Sequence, residues 1–133
     1  MDIKSKKHSS YNIWYHLVFC PKYRKKTLVG AVEVELKKIL AEICVSQDWE
    51  IGALEVMPDH VHLFLSSPPT VAPTTIVAII KSITAISLFK IFPQLKGKSF
   101  WKSGLWSKGY YVGTAGTVSK GVIEKYIAEQ KSK

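Results

Sequence analysis

Acidic side chains are scarce in this chain: ten Asp and Glu stand against nineteen Lys and Arg in 133 residues, a formal net charge of +9. A domain this small and this basic meets polyanions such as DNA, RNA or an anionic membrane, although lysine-rich surfaces also serve solubility. Charge alone does not choose between these. Cysteine is nearly missing too. Cys20 and Cys44 form no CxxC pair and match no zinc spacing, which excludes a disulfide or zinc scaffold and points to free thiols in a reducing compartment. Uninterrupted apolar runs are lacking as well. The most apolar stretch, residues 74–92, is broken by Lys81, Ser82, Thr84, Ser87 and Lys90, so it reads as a buried helix and not a membrane span. The opening MDIKSKKHSS has no signal-peptide core, and a cytoplasmic protein is expected. No repeat and no long linker divides the chain, whose length suits a single domain over residues 1–133 with a polar tail at 1–10.

The elements that are present alternate in a recognisable order. Residues 11–19 (YNIWYHLVF) are aromatic and β-branched, as a strand requires, with Ile13, Tyr15, Leu17 and Phe19 on one face and Trp14, His16 and Val18 on the other. Pro21 is expected to end that strand before a basic loop over residues 22–26. Residues 31–47 carry Val32, Leu36, Ile39, Leu40 and Ile43 at helical spacing. Strands over 50–57 and 60–66 flank a Pro58-Asp59 turn. A second helix runs from Pro73 to about Phe92, apolar nearly all round, and so either deeply buried or shared with a partner chain. A lysine- and tryptophan-rich loop at 94–106, a short strand at 109–113, a glycine joint at 113–116 and a final helix at 118–131 complete the chain. The order β-α-β-β-α-β predicts an α+β, ferredoxin-like antiparallel sheet. Two helices cover one face, strands one and three lie in the middle, and one C-terminal helix is appended.

Two features bear on chemistry. In HVHLFLS, His60, His62 and Phe64 project from one face of a strand and Val61, Leu63 and Leu65 from the other. The second set is the core face, so the imidazoles belong to the face that the helices leave open, where they make a metal half-site. A bare His-x-His is more often a pair of ordinary histidines. In the last helix, Val122, Tyr126 and Gln130 share one stripe; by itself that stripe is ordinary packing. Joined, the two features would bring two imidazoles and the Gln130 amide oxygen to one cation. Tyr126 would lie one turn away as a nucleophile toward a phosphodiester, and attack would store the bond energy as a phosphotyrosine.

Four segments carry a family resemblance. YHLVFCPKYRKK, EVMPDHVHLFLS, LWSKGYYVGTAG and YIAEQ follow one another, in order, across nearly the whole chain. The sequence closely resembles the single-tyrosine HUH transposases, the TnpA proteins of small insertion sequences. The resemblance implies Tyr126 as nucleophile, His60, His62 and Gln130 as metal ligands, and Mg²⁺ or Mn²⁺ as the metal. It implies a homodimer with merged sheets whose active site can be shared between chains, the glycine joint allowing helix exchange. It further implies imperfect DNA hairpins as partners, and cleavage of single strands to a 5′-phosphotyrosine and a free 3′-OH. By ligand softness alone, two histidines suit zinc or manganese better than magnesium.

DNA contacts are expected from Lys22, Arg24, Lys25 and Lys26. A second cluster comprises Lys96, Lys98, Trp101, Lys102, Trp106 and Lys108, where lysines meet phosphates and aromatics stack on unpaired bases. Lys81 is expected to reach an edge or a ligand. His16 should share the open face with His60 and His62, supporting them or simply holding a structural hydrogen bond. Two competing functions use the same residues differently: a hairpin-binding relative that does not cut, and a replication-initiator-like nuclease of the same chemistry.

Overall fold

The structure, a computed structural model, describes residues 12–96 and 104–114. Six main elements run in the expected order. They are β1 (Ile13–Pro21), α1 (Gly30–Gln47), β2 (Glu50–Met57), β3 (His60–Ser67), α2 (Pro73–Ile91) and β4 (Trp106–Thr114). The strands form one antiparallel sheet in the order β2-β3-β1-β4, with the predicted central pair in the middle. The appended helix lies outside the described residues.

Alternation along the strands decides which face is which. Tyr15, Leu17 and Phe19 of β1 and Val61, Leu63 and Leu65 of β3 are buried. They meet Leu36, Leu40 and Ile43 of α1 and Ile76, Ile80 and Leu88 of α2 in one core. Each such side chain contributes about 1.5–3 kcal/mol on leaving water. The second helix departs from the expectation of burial all round. It buries one stripe, while Ile83, Ile86 and Ile91 remain exposed. By length and composition it could cross a membrane, but here it lies along the sheet. The other sheet face is also less open than its pattern implies. Phe64 is fully buried there because the Trp14 ring stacks on it at 4.8 Å, closing the end of that face away from the histidines.

The last strand is longer than its sequence suggests. It begins at Trp106, not at residue 109, and Pro21, which ends β1 as expected, pairs with Trp106. Pro21 lies past the last β1–β3 pair, Phe19–Val61, and beside the register shift in β4, which makes the proline tolerable. Gly113, read as part of a joint, is a paired residue of β4 opposite His16. Its lack of a side chain serves a packing need: a Cβ there would collide with the Tyr111 hydroxyl and ring.

Trp106 closes the core at this edge. Its indole Nε1 donates to Thr84 Oγ1 at 2.9 Å, and that hydroxyl donates to the Ile80 carbonyl at 2.7 Å. Thr84 is fully buried. Replacing Thr84 with valine keeps the shape but orphans the indole N–H, and is expected to lower stability by about 1–3 kcal/mol in urea unfolding. An unchanged midpoint would show that the buried pair contributes nothing.

Candidate active site

The turn between β2 and β3 builds the site. His60 follows Asp59 directly, and its Nδ1 lies 2.7 Å from Asp59 Oδ1. An ionised carboxylate only accepts hydrogen bonds, so Nδ1 carries the proton and the lone pair sits on Nε2. Arg24 Nη2 donates to the other carboxylate oxygen, Oδ2, at 3.2 Å. It also lies 3.4 Å from His60 Nδ1, but two N–H groups cannot bond to each other, so this is only proximity. The His60 hydrogen bond foremost, and then the Arg24 charge, hold the Asp59 carboxyl below its ordinary range.

His62 comes next on the same face. The two rings lie 4.8 Å apart, nearly perpendicular, and His16 stacks on His62 from β1 at 5.8 Å. Burial, followed by the charges of His60 and His16, pushes the His62 pKa down to about 4. Burial lowers that of His16 also. At neutral pH, His62 is therefore a neutral imidazole with a lone pair to give, as a metal ligand must be. Its Nδ1 is buried with no hydrogen-bond partner among the described residues. The donor set thus fits a divalent cation, but only as half of a site. Among the described residues, no group of three His, Cys, Asp or Glu surrounds one position. A further ligand has to come from elsewhere.

The pair opens onto a cleft of about 430 Å³ walled by Arg24 on one side and Tyr110 and Tyr111 on the other. The basic residues Lys22, Lys25 and Lys26 belong to the same loop as Arg24. Their loop is pinned by Lys22 N–H to the Leu105 carbonyl and by Leu28 N–H to the Pro58 carbonyl. Tyr23 and Arg24 both take positive φ, 59° and 51°, an uncommon conformation for residues with side chains. This turn places Arg24 beside Asp59.

Paired histidines on the open face of this sheet make a comparison with known proteins decisive. The family profile described as IS200-like transposase matches residues 9–130. The chain belongs to the IS200-like transposase family. Among curated relatives, the ISDra2 transposase TnpA of Deinococcus radiodurans is 39% identical over 133 residues, spanning all of this chain and 94% of that one. The IS200 transposase of Salmonella typhimurium is 33% identical over 129 residues, covering 97% and 84%. A crystal structure assigned as a transposase from Deinococcus radiodurans superposes with a TM-score of 0.75 at 38% identity over 92% of this chain and 93% of that one. A REP-associated tyrosine transposase bound to a REP hairpin shares the fold, with a TM-score of 0.57 at 14% identity over 92% and 68%.

Within this IS200-like transposase, the sequence-predicted residues fall into three groups. His16, His60 and His62 come together, with Arg24 beside them. One expected DNA contact is corrected. Trp106 is 6% exposed with its indole turned into the core, so it offers no face to a base. Lys81 reaches the edge strand β4, as expected: its half-buried ammonium donates to the Ser107 carbonyl at 2.5 Å and the Lys108 carbonyl at 3.5 Å, beside the Tyr110 ring. Tyr126, Gln130, Lys98, Trp101 and Lys102 lie outside the described residues. Sequence reading missed Asp59, taken only as a turn residue. Its position directly before His60 was the available signal, because metal-binding histidines commonly give their second N–H to a carboxylate. It also missed Tyr111, for which the sequence held no signal beyond the aromatic pair itself.

Proposed function

We propose that this transposase cuts and rejoins single-stranded DNA at insertion-sequence ends through Tyr126, with His60, His62 and Gln130 holding Mg²⁺ or Mn²⁺. The observation that carries the reading is the His60–His62 pair, with the His60 tautomer fixed by Asp59, facing a basic cleft. The Tyr126 oxygen forms a bond to phosphorus while the bond from phosphorus to the 3′ oxygen breaks. The departing oxygen takes a proton and leaves as a free 3′-OH, and the 5′ side stays on the enzyme as phosphotyrosine. A bound divalent cation would offset the phosphate charge and stabilise the leaving oxygen. Arg24 and the lysines of its loop draw in the phosphate backbone. The enzyme works as a homodimer on hairpin-bearing strands, the tyrosine helix serving its own or its partner's histidines.

The test is a covalent adduct that survives denaturing electrophoresis, formed with labelled single strands covering the DNA on either side of the gene. Adduct is expected with Mn²⁺ or Mg²⁺ and none in EDTA. Asp59→Ala is expected to raise the Mn²⁺ concentration required by about 10- to 100-fold, because it frees the His60 ring to turn. Asp59→Asn, which can still accept from Nδ1, should lose less. No adduct on any flanking strand, or full adduct in EDTA, would overturn the reading.

A further inference from the structure

The cleft beside the histidines exists because β4 bulges. Between the pairs Phe19–Tyr110 and Pro21–Trp106, β1 has the single residue Cys20, whereas β4 has Ser107, Lys108 and Gly109. The surplus backbone leaves the β1 pairing register, and Lys81 braces it by donating to the Ser107 and Lys108 carbonyls. Bulges of this kind re-aim side chains next to sites. Here the bulge is followed by Tyr110 and then Tyr111.

Tyr111 is set in place from two sides. Its ring meets the edge of His16 at 5.9 Å and lies over Gly113, where a side chain would displace it. Although anchored, it is 57% exposed. It shares a row with Val18 and His62 across three strands, so its ring stands two strand spacings, about 10 Å, from the histidine, with the small Val18 as the floor between them. An immobilised, exposed aromatic face beside a phosphate-attracting cleft is what stacks an unpaired base.

We propose that the β4 bulge cleft is a binding subsite for one unpaired nucleotide next to the phosphate that is cut, with Tyr111 as the platform for its base. The assignment rests on the single-strand reading of the site, but its test needs neither metal nor cleavage. Binding of a labelled oligothymidylate of about twelve nucleotides is measured by anisotropy in EDTA, beside a chain of equal length made of abasic residues. Tyr111→Ala is expected to weaken oligothymidylate binding by about 5- to 100-fold, and to leave the weaker abasic binding unchanged. Tyr111→Phe, which keeps the ring, should bind within about 2-fold of wild type. Gly113→Ala, which pushes the ring off its seat, should weaken binding as Tyr111→Ala does but less. If Tyr111→Ala binds oligothymidylate as wild type does, the subsite is wrong. If it loses the same factor on the abasic chain, the effect is structural and the proposal fails equally. Absence of the covalent adduct would sink the cutting reaction while leaving this stacking result in place, so the two failures are distinguishable.

Discussion

Tyr126→Phe is expected to abolish the covalent adduct, at least about 10³-fold below wild type, because the substitution removes one oxygen and that oxygen forms the new bond to phosphorus. Phenylalanine keeps the ring and lacks only the hydroxyl, so a loss of adduct with DNA binding retained follows the missing oxygen. DNA binding in EDTA should match wild type. The informative control is Tyr111→Phe. Tyr111 is an exposed phenol on the same sheet face as the histidines, and geometry alone would allow it as a rival nucleophile. If adduct survives Tyr126→Phe and disappears with Tyr111→Phe, the nucleophile has been misassigned and the C-terminal helix loses its role. The double variant should show nothing in either case. Mixing Tyr126→Phe with His62→Ala protein adds a further discrimination. Adduct regained in the mixture means that the tyrosine of one chain serves the histidines of the other.

The sheet could be foreseen because its two faces obey a period of two. The alternation in IWYHLVF and HVHLFLS assigned Leu17, Leu63 and Leu65 to the core and both imidazoles to the other side, as the structure has them. What was not legible arises from contacts distant in sequence. Trp106 looked like a stacking residue because it stands among lysines and glycines. Its fate was decided by Thr84, 22 residues away, which offers a buried acceptor for the indole N–H. Lys81 looked like a cation interrupting an apolar helix in search of a ligand. It found its ligands in two carbonyls that only a bulged strand presents. Propensity has no means of locating that bulge, because the mismatch appears only when β4 is aligned with β1. Asp59 is a different case: it was visible and was read for its turn-forming habit alone.

These contacts give the two sides of the cleft different mechanical origins. On the β3 side, a chain of polar groups, Arg24 to Asp59 to His60, fixes one imidazole through hydrogen bonds. On the β4 side, Lys81, Gly113 and His16 fix the bulge and Tyr111 through backbone and ring contacts. Neutralising Asp59 therefore should disturb metal affinity and leave base stacking intact, whereas Gly113→Ala should do the reverse.

Folding stability is expected to fall steeply as pH drops from about 6.5 toward 4, and His62 is the reason. In the unfolded chain its imidazole titrates near 6.5; in the fold, burial and then the neighbouring His60 and His16 bring it to about 4. Between those values the unfolded chain binds a proton that the folded site refuses, so acid favours unfolding. The contribution is fully present above the unfolded pKa and is lost as pH falls through the window to the folded one. Its size is about 1–3 kcal/mol once solvent screening at the open cleft is allowed for. His16, lowered by burial, acts in the same direction. Asp59 adds a later loss: its carboxyl is depressed, so its contribution fails only at pH values below the ordinary carboxylate range. Urea unfolding in EDTA at about pH 7, 6 and 5 separates these terms. Wild type should lose stability over this range, and His62→Gln, which has no titrating group there, should lose correspondingly less. Equal slopes for the two proteins would mean that His62 accepts a proton as readily folded as unfolded, and would remove the neutral imidazole on which the metal half-site depends.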